Sequence, residues 1–254
     1  MTSGDQGHSI RSVERAIDLL AVLESSPGPM GLSELSRAAN MPKATALRLL
    51  AVLGKRGLVE KAQGRYQIGV ATVPLAHAFL VGNNLSRAAL PVMQELAAVS
   101  KETASLFVRL GFHRVVVQRV EGVHPLRYTM PIGERLPLHL GAGKILAAAM
   151  PEDELRPLLD QLGEVRRASG EVLTKDDFLA ELQRVREHGF SISINERTLG
   201  VASVAAPIVG QDGTTIAALA VIGPSESVTP DRIPQLSVEV RRAAQAIAER
   251  YRRL

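Results

Sequence analysis

Residues 37 to 65 carry Arg37, Lys43, Arg48, Lys55, Arg56, Lys61 and Arg65 against the single acid Glu60. The whole chain has a net charge of only +4, so positive charge is concentrated here and the remainder is slightly acidic. A local cationic patch on a nearly neutral body is the electrostatic footprint of a duplex nucleic-acid binder. A solvated helix face would carry the same charges, so the order of the surrounding elements has to decide.

A second segment with chemical promise is Gly141-Ala142-Gly143-Lys144. A phosphate loop needs glycine five residues before its Gly-Lys pair and a hydroxyl residue after it. Leu138 and Ile145 occupy those places, which argues against nucleotide binding. The surviving readings are an anion held by free N–H groups at a helix start, or glycines that allow a tight strand-to-helix turn. There is no Gly-x-Ser-x-Gly elbow and no His-Glu-x-x-His helix, so nothing points to an enzyme. His139 lacks a paired acid and reads as a structural histidine. His113, His124 and His139 could hold a structural metal without cysteine, but their wide spacing makes that a weak signal; no metal and no cofactor is expected.

Composition narrows the class further. The chain has 254 residues, 46% apolar and 22% charged, which fits a soluble protein with room for two domains. It has no cysteine, which excludes disulfides and thiolate metal ligands and fits the cytoplasm. No stretch approaches eighteen uninterrupted apolar residues, so no membrane span is expected. Residues 1–8 lack a basic region followed by an apolar core and read as a disordered lead, not a signal peptide. Tryptophan is absent and aromatics are 3%, which argues against a base-stacking surface for single strands.

The cations need elements to position them. Val13, Ala16, Ile17, Leu20 and Leu23 form one apolar stripe and predict a helix from about Ser12 to Glu24. Ser25-Ser26-Pro27-Gly28-Pro29 stops it. Ser33 is the expected N-cap of a short second helix containing Leu35, Ala38 and Ala39. Asn40-Met41 reads as a tight turn, and Pro42 suits the first position of a third helix, Lys43 to about Arg56. Ala46, Leu47, Leu50 and Leu53 are expected to pack inward. Lys43, Ala44, Thr45 and Arg48 cluster at the N-terminal end, where a recognition helix meets base edges. There Ala44 permits close approach, Thr45 can bond a phosphate or base, and Arg48 can reach guanine. For Arg48 the alternatives are a surface charge or an intradomain pair. Gly57 ends the helix. Leu58 to Lys61 and Arg65 to Ile68 predict a hairpin around Ala62-Gln63-Gly64, placed as a wing. Lys61 and Arg65 suit phosphate or minor-groove contact there, although Arg65 could equally protect a strand edge.

These segments carry a resemblance. Gly31-Leu32-Ser33-Glu34-Leu35, Met41 through Leu50, Gly57-Leu58-Val59 and Gly64 through Gly69 strongly resemble the IclR family of bacterial transcription regulators. Ala44 departs from the serine commoner in that family. Leu136-Pro137-Leu138-His139, Gly141 through Lys144, Glu187-His188-Gly189-Phe190, Gly200 through Pro207 and Gly223-Pro224 resemble the same family's effector domain. The likeness therefore covers nearly the whole chain. It implies an α+β protein: a winged helix-turn-helix over 9–69, a linker helix over 70–84 that helps dimerisation, and a GAF-like effector-binding domain over 85–254. In that last part strands are predicted over 104–109, 114–119, 126–131, 190–195, 201–209 and 214–222. Helices are predicted over 85–100, 141–150, 175–188 and 228–254.

The resemblance also assigns sites. Ser33 joins Lys43, Ala44, Thr45, Arg48, Lys61 and Arg65 as a DNA contact. In similar proteins the 141–144 loop holds the carboxylate of a small organic acid. Gly141 and Ala142 are therefore effector candidates, with Met130, Ser193, Ser203, Ala220 and Ile222. Several relatives that bind small polar acids have Asp, Cys, Ser and Ser at the last four of these positions. Ala220 and Ile222, two apart on one sheet face, replace both serines with apolar groups. The effector expected here is thus more apolar than glyoxylate, an aromatic or acyl carboxylate. Ser193 and Ser203 could equally be ordinary strand serines. The resemblance further implies a homodimer or homotetramer on a pseudo-palindromic double-stranded operator, with repression the favoured outcome. A sensor without DNA function would leave the cationic segment unexplained.

Overall fold

The computed structural model describes residues 10–123 and 130–254, in two compact units that divide between Gly82 and Asn83. The first contains α1 (Arg11–Ser25), β1 (Met30–Gly31), α2 (Leu32–Ala38), α3 (Lys43–Lys55), β2 (Val59–Ala62), β3 (Arg65–Ile68) and α4 (Thr72–Gly82). Leu19, Leu23, Leu35, Met41, Ala46, Leu50 and Leu53 from the first three helices meet Val59 and Tyr66 from the hairpin in one core. Each fully buried leucine contributes about 1.5–3 kcal/mol, enough to fix the helices against one another. α3 ends in a Schellman turn: Leu58 N–H donates to Leu53 O and Gly57 N–H to Gly54 O, with Gly57 at φ +69°. Gln63 and Gly64 both take positive φ, the geometry of a type I′ hairpin turn.

Several local expectations are corrected. Ser33 is not the N-cap of α2; Gly31 is, and the Glu34 carboxylate accepts its N–H at 2.8 Å. Pro42 sits at the N-cap of α3, one residue earlier than expected. Leu47 does not pack inward but is 47% exposed. The wing has a third strand, because Met30 and Gly31 pair with Tyr66 and Arg65.

The second unit runs through α5 (Asn84–Ser100), β4 (Thr103–Leu110), β5 (His113–Val120), β6 (Arg135–Pro137), α6 (Gly143–Ala148), α7 (Glu152–Gln161), β7 (Val165–Arg166), β8 (Val172–Leu173) and α8 (Lys175–His188). β9 (Ser191–Ile194), β10 (Val201–Val209), β11 (Thr215–Pro224) and α9 (Ile233–Tyr251) complete it. Six strands form one antiparallel sheet in the order β6-β5-β4-β11-β10-β9. Strand alternation splits β11 between two cores. Ala217, Leu219 and Val221 pack with residues of α5 and α9, whereas Ala218, Ala220 and Ile222 pack with residues of α6 and α8. The expected 141–150 helix is the six-residue α6, and the closing helix starts at Ile233, not 228. The strand expected over 126–131 falls mostly outside the described residues, as do His124 and the expected 1–8 lead; Met130 and Pro131 are not in a strand.

Candidate functional site

The cationic segment folds into the outer surface of the first unit. Burial of Ala46, Leu50 and Leu53 turns the opposite side of α3 outward. Ala44, Leu47, Arg48 and Ala51, at steps of three and four, share that exposed face, with Lys43 at its start and Thr45 half-buried beside it. Neither Lys43 nor Arg48 has a hydrogen-bond or ion-pair partner among the described residues. The intradomain pair considered for Arg48 is therefore absent there. Ser33 is exposed on α2, where its carbonyl accepts from Arg37 Nε.

The wing cations are held differently. Arg65 Nη2 lies 3.0 Å from Glu34 Oε2, and its Nε donates to Pro29 O at 2.8 Å. Glu34 is held below the usual carboxylate range first by the Gly31 N–H bond and then by Arg65. Arg65 thus pins the hairpin to the start of α2 and does not project freely. Lys61 is exposed, with Nζ 5.3 Å from the Tyr66 ring centre.

In the second unit, Met130, Gly141, Ala142, Ser193, Ser203 and Ile222 line one cavity together with Phe107, Arg114, Glu196, Arg197, Thr198 and Val201. Sheet register sets the floor: Ser203 on β10 lies opposite Ser193 on β9 and Ile222 on β11, so the three form a row on one face. Ala220 shares that face with Ile222, but it is fully buried in the core and does not reach the cavity. The cavity is small, about 40 Å³. That takes a water or two, or one acid group, but not a whole aromatic ring.

Arg114 is the residue the sequence reading missed. It is 3% exposed, its guanidinium carbon sits 5.2 Å from the Phe107 ring centre, and Nη1 donates to the Pro137 and Leu140 carbonyls. Its Nε is buried without a hydrogen-bond partner among the described residues. The available signal was strand alternation: Arg114 lies two residues from Val116, so it shares the buried face of β5. Glu196, Arg197 and Thr198 were also missed; they follow the end of β9 and carry no periodic pattern.

The glycine loop is occupied by the protein itself. Gly141 N–H donates to Glu196 Oε2 at 2.8 Å. Lys144 is buried, with Nζ 2.5 Å from Glu196 Oε1, 3.2 Å from Glu181 and 2.8 Å from Ile192 O. Arg167 joins the same network through Glu181 at 2.6 Å. A lysine committed to two carboxylates does not cradle a phosphate. A Cβ on Gly143 would sit 2.5 Å from Leu138 O and 2.6 Å from Arg114 Nη1, so the glycine is required for the loop to close over Arg114. His139 is half-buried; burial first, then the Arg114 charge, holds it below the usual imidazole value and therefore neutral at pH 7. No group of three His, Asp or Glu among the described residues could hold a metal. No helix among them is long and apolar enough to cross a membrane.

Three helices with an exposed cationic third helix and a hairpin behind it define a winged helix-turn-helix, the architecture of DNA-binding regulators. Two family descriptions match: the IclR helix-turn-helix domain over residues 12–63, and the bacterial transcriptional regulator IclR C-terminal domain over 77–249. The chain belongs to the IclR family of bacterial transcriptional regulators. It is 30% identical to the HTH-type transcriptional repressor AllR of Escherichia coli K12, over 94% of this chain and 89% of that protein. An IclR-type regulator from Silicibacter sp. TM1040 superposes with a TM-score of 0.83 at 27% identity, covering 94% of this chain and 96% of the other. An IclR homologue from Microbacterium hydrocarbonoxydans, solved with 4-hydroxybenzoate, shares the fold with a TM-score of 0.74 at 21% identity, covering 96% and 100% of the two chains.

Proposed function

We propose that this protein is a sequence-specific repressor that sets α3 into the major groove of a pseudo-palindromic operator and changes its grip when a small organic acid occupies the second unit. The observation that carries the first half is the outer face of α3. Lys43 and Arg48 stand there exposed and, among the described residues, unpartnered, beside the small Ala44. Lys43, Thr45 and Arg48 read base edges; Ser33 and Lys61 contact phosphate. Arg65 orients the wing through Glu34 and offers the remainder of its guanidinium to the backbone. Repression is the role named for the relative AllR.

The second half rests on the cavity. Arg114, Ala142, Ser193, Thr198 and Ser203 supply polar walls; Phe107, Met130, Val201 and Ile222 supply apolar ones. Ala220 acts from beneath, as the apolar support of that floor. This mixture favours an acid with an apolar body over glyoxylate, and the relative solved with 4-hydroxybenzoate supports that class. The cavity takes only the acid group as it stands, so binding of the rest requires it to widen. A ligand that binds the widened state better shifts the protein towards it. α4 suits the dimer contact that passes the shift on: none of its residues is buried, and Val73, Leu75, Phe79 and Val81 are all exposed. Such an apolar surface is a normal feature of an interface with a second copy.

Gel-shift titration with DNA from upstream of its own gene, with and without candidate acids, tests this reading. Retarded complexes that weaken steeply with salt support it. Equal affinity for unrelated duplexes would remove sequence-specific recognition.

A further inference from the structure

We propose that Arg114 is the anion anchor of the second unit's cavity, receiving a ligand's carboxylate side-on along the edge that carries Nε and Nη2. The inference rests on the cavity being the effector site and adds which residue selects the ligand's charge.

Three observations converge on it. The guanidinium is fixed in advance, because Nη1 donates to the Pro137 and Leu140 carbonyls and the plane lies by the Phe107 ring. The opposite edge carries Nε, which is buried with no hydrogen-bond partner among the described residues, in a residue only 3% exposed. The Nε atoms of Arg119, Arg135 and Arg167 are buried in the same way, but of these four arginines only Arg114 lines the cavity, where a ligand can supply the acceptor. The loop is also shaped around this side chain: a Cβ on Gly141 would lie 3.1 Å from Nη2, and one on Gly143 2.6 Å from Nη1.

The neighbouring acid does not fill that role. Glu196 gives one oxygen to Gly141 N–H and the other to Lys144. Gly141 N–H, the first candidate for holding an acid, is thereby already engaged. Burial, and next the charge of Arg197, lower the Arg114 pKa to about 9, so it remains cationic at neutral pH. Glu196 and Glu134 partly offset the repulsion from Arg197, which lies 3.7 Å from Glu134, but neither carboxylate bonds the Nε edge of Arg114 among the described residues. A planar carboxylate matches the guanidinium edge in two parallel hydrogen bonds, which a neutral amide of the same shape cannot reproduce. The ligand class is therefore a monocarboxylic acid whose body lies against Phe107 and Ile222.

Calorimetry on the full chain tests this with benzoate against benzamide and pyruvate against pyruvamide. At least one acid is expected to bind ten times or more tighter than its amide. The Arg114 Nε–H resonance in ¹⁵N spectra should shift with that acid and stay still with the amide. In Arg114→Lys the acid preference should shrink at least fivefold. Should that variant fail to fold, the ratio and the resonance in the natural protein still decide. Equal binding of acid and amide overturns the role of Arg114 while leaving an effector cavity. Binding of none of the four overturns the effector reading and this inference together.

Discussion

The two units place arginine in opposite settings. On α3, Arg48 is exposed and has no partner among the described residues; in the second unit, Arg114 is 3% exposed and clamped by two carbonyls. An exposed cation suits a large polyanion that arrives from solvent and displaces its counterions. A buried one suits a single small anion, because low dielectric strengthens one well-placed contact and makes any misfit costly. On the proposed reading, one residue type would serve a long-range, salt-sensitive contact in one unit and a short-range, shape-sensitive contact in the other.

Salt should separate the two most strongly. A dimer bringing about eight cations to phosphate would lose roughly 10³–10⁵ in operator affinity between about 50 and 200 mM salt. Acid binding in the cavity should change by less than about threefold over that range, since buried charges escape screening. Similar salt slopes in anisotropy and calorimetry would erase the distinction.

Within the first unit, Arg48→Ala should cost about 1–3 kcal/mol on a specific site. Arg65→Ala should cost less than about 1 kcal/mol in stability, as an exposed ion pair, and should weaken unrelated duplexes as much as the operator. A larger loss of sequence discrimination from Arg65→Ala than from Arg48→Ala would exchange their roles. In the cavity, Ile222→Ser should move the preference from benzoate towards glyoxylate by on the order of tenfold; an unchanged ratio would mean that Ile222 does not touch the ligand.

The smallest contrast concerns pH. His139 is held below its ordinary 6.5 in the folded chain, first by burial and then by Arg114. The unfolded chain therefore takes up a proton that the folded one refuses, and stability falls as pH drops through about 6.5. Glu34 in the first unit is held below its ordinary 4.5 by the Gly31 N–H and Arg65, so its contribution persists above that value and is lost only as pH falls below it. Thermal melts from pH 7 to 4 should show the second unit weakening first. The reverse order would contradict these assignments.

Elements whose pattern is long and periodic were legible in the sequence. The stripe of α1, the capped α8 and the alternating β10 and β11 lie within a few residues of their expected bounds. β1, of two residues, and β6, of three, are too short to carry a period, and exist because β3 and β5 offer them unpaired edges. α7 was not foreseen, since Pro157 interrupts its helical pattern. Leu47 was misplaced because an apolar residue on a recognition helix follows its face, not its hydropathy. Six of the seven effector candidates that the family resemblance assigned line the cavity, because resemblance transfers positions. The resemblance could not supply Arg114, whose role comes from an inward position on β5 and from a loop folded around it.

Coupling between the two settings is the central claim, and one measurement reaches it directly. Anisotropy of a labelled upstream duplex should be followed in the full chain while an acid already shown by calorimetry to saturate the cavity is added. Operator affinity should change about 5- to 150-fold, the usual range of an allosteric coupling of about 1–3 kcal/mol. An affinity unchanged at full saturation would contradict the account, leaving a DNA-binding unit and a ligand-binding unit that do not communicate.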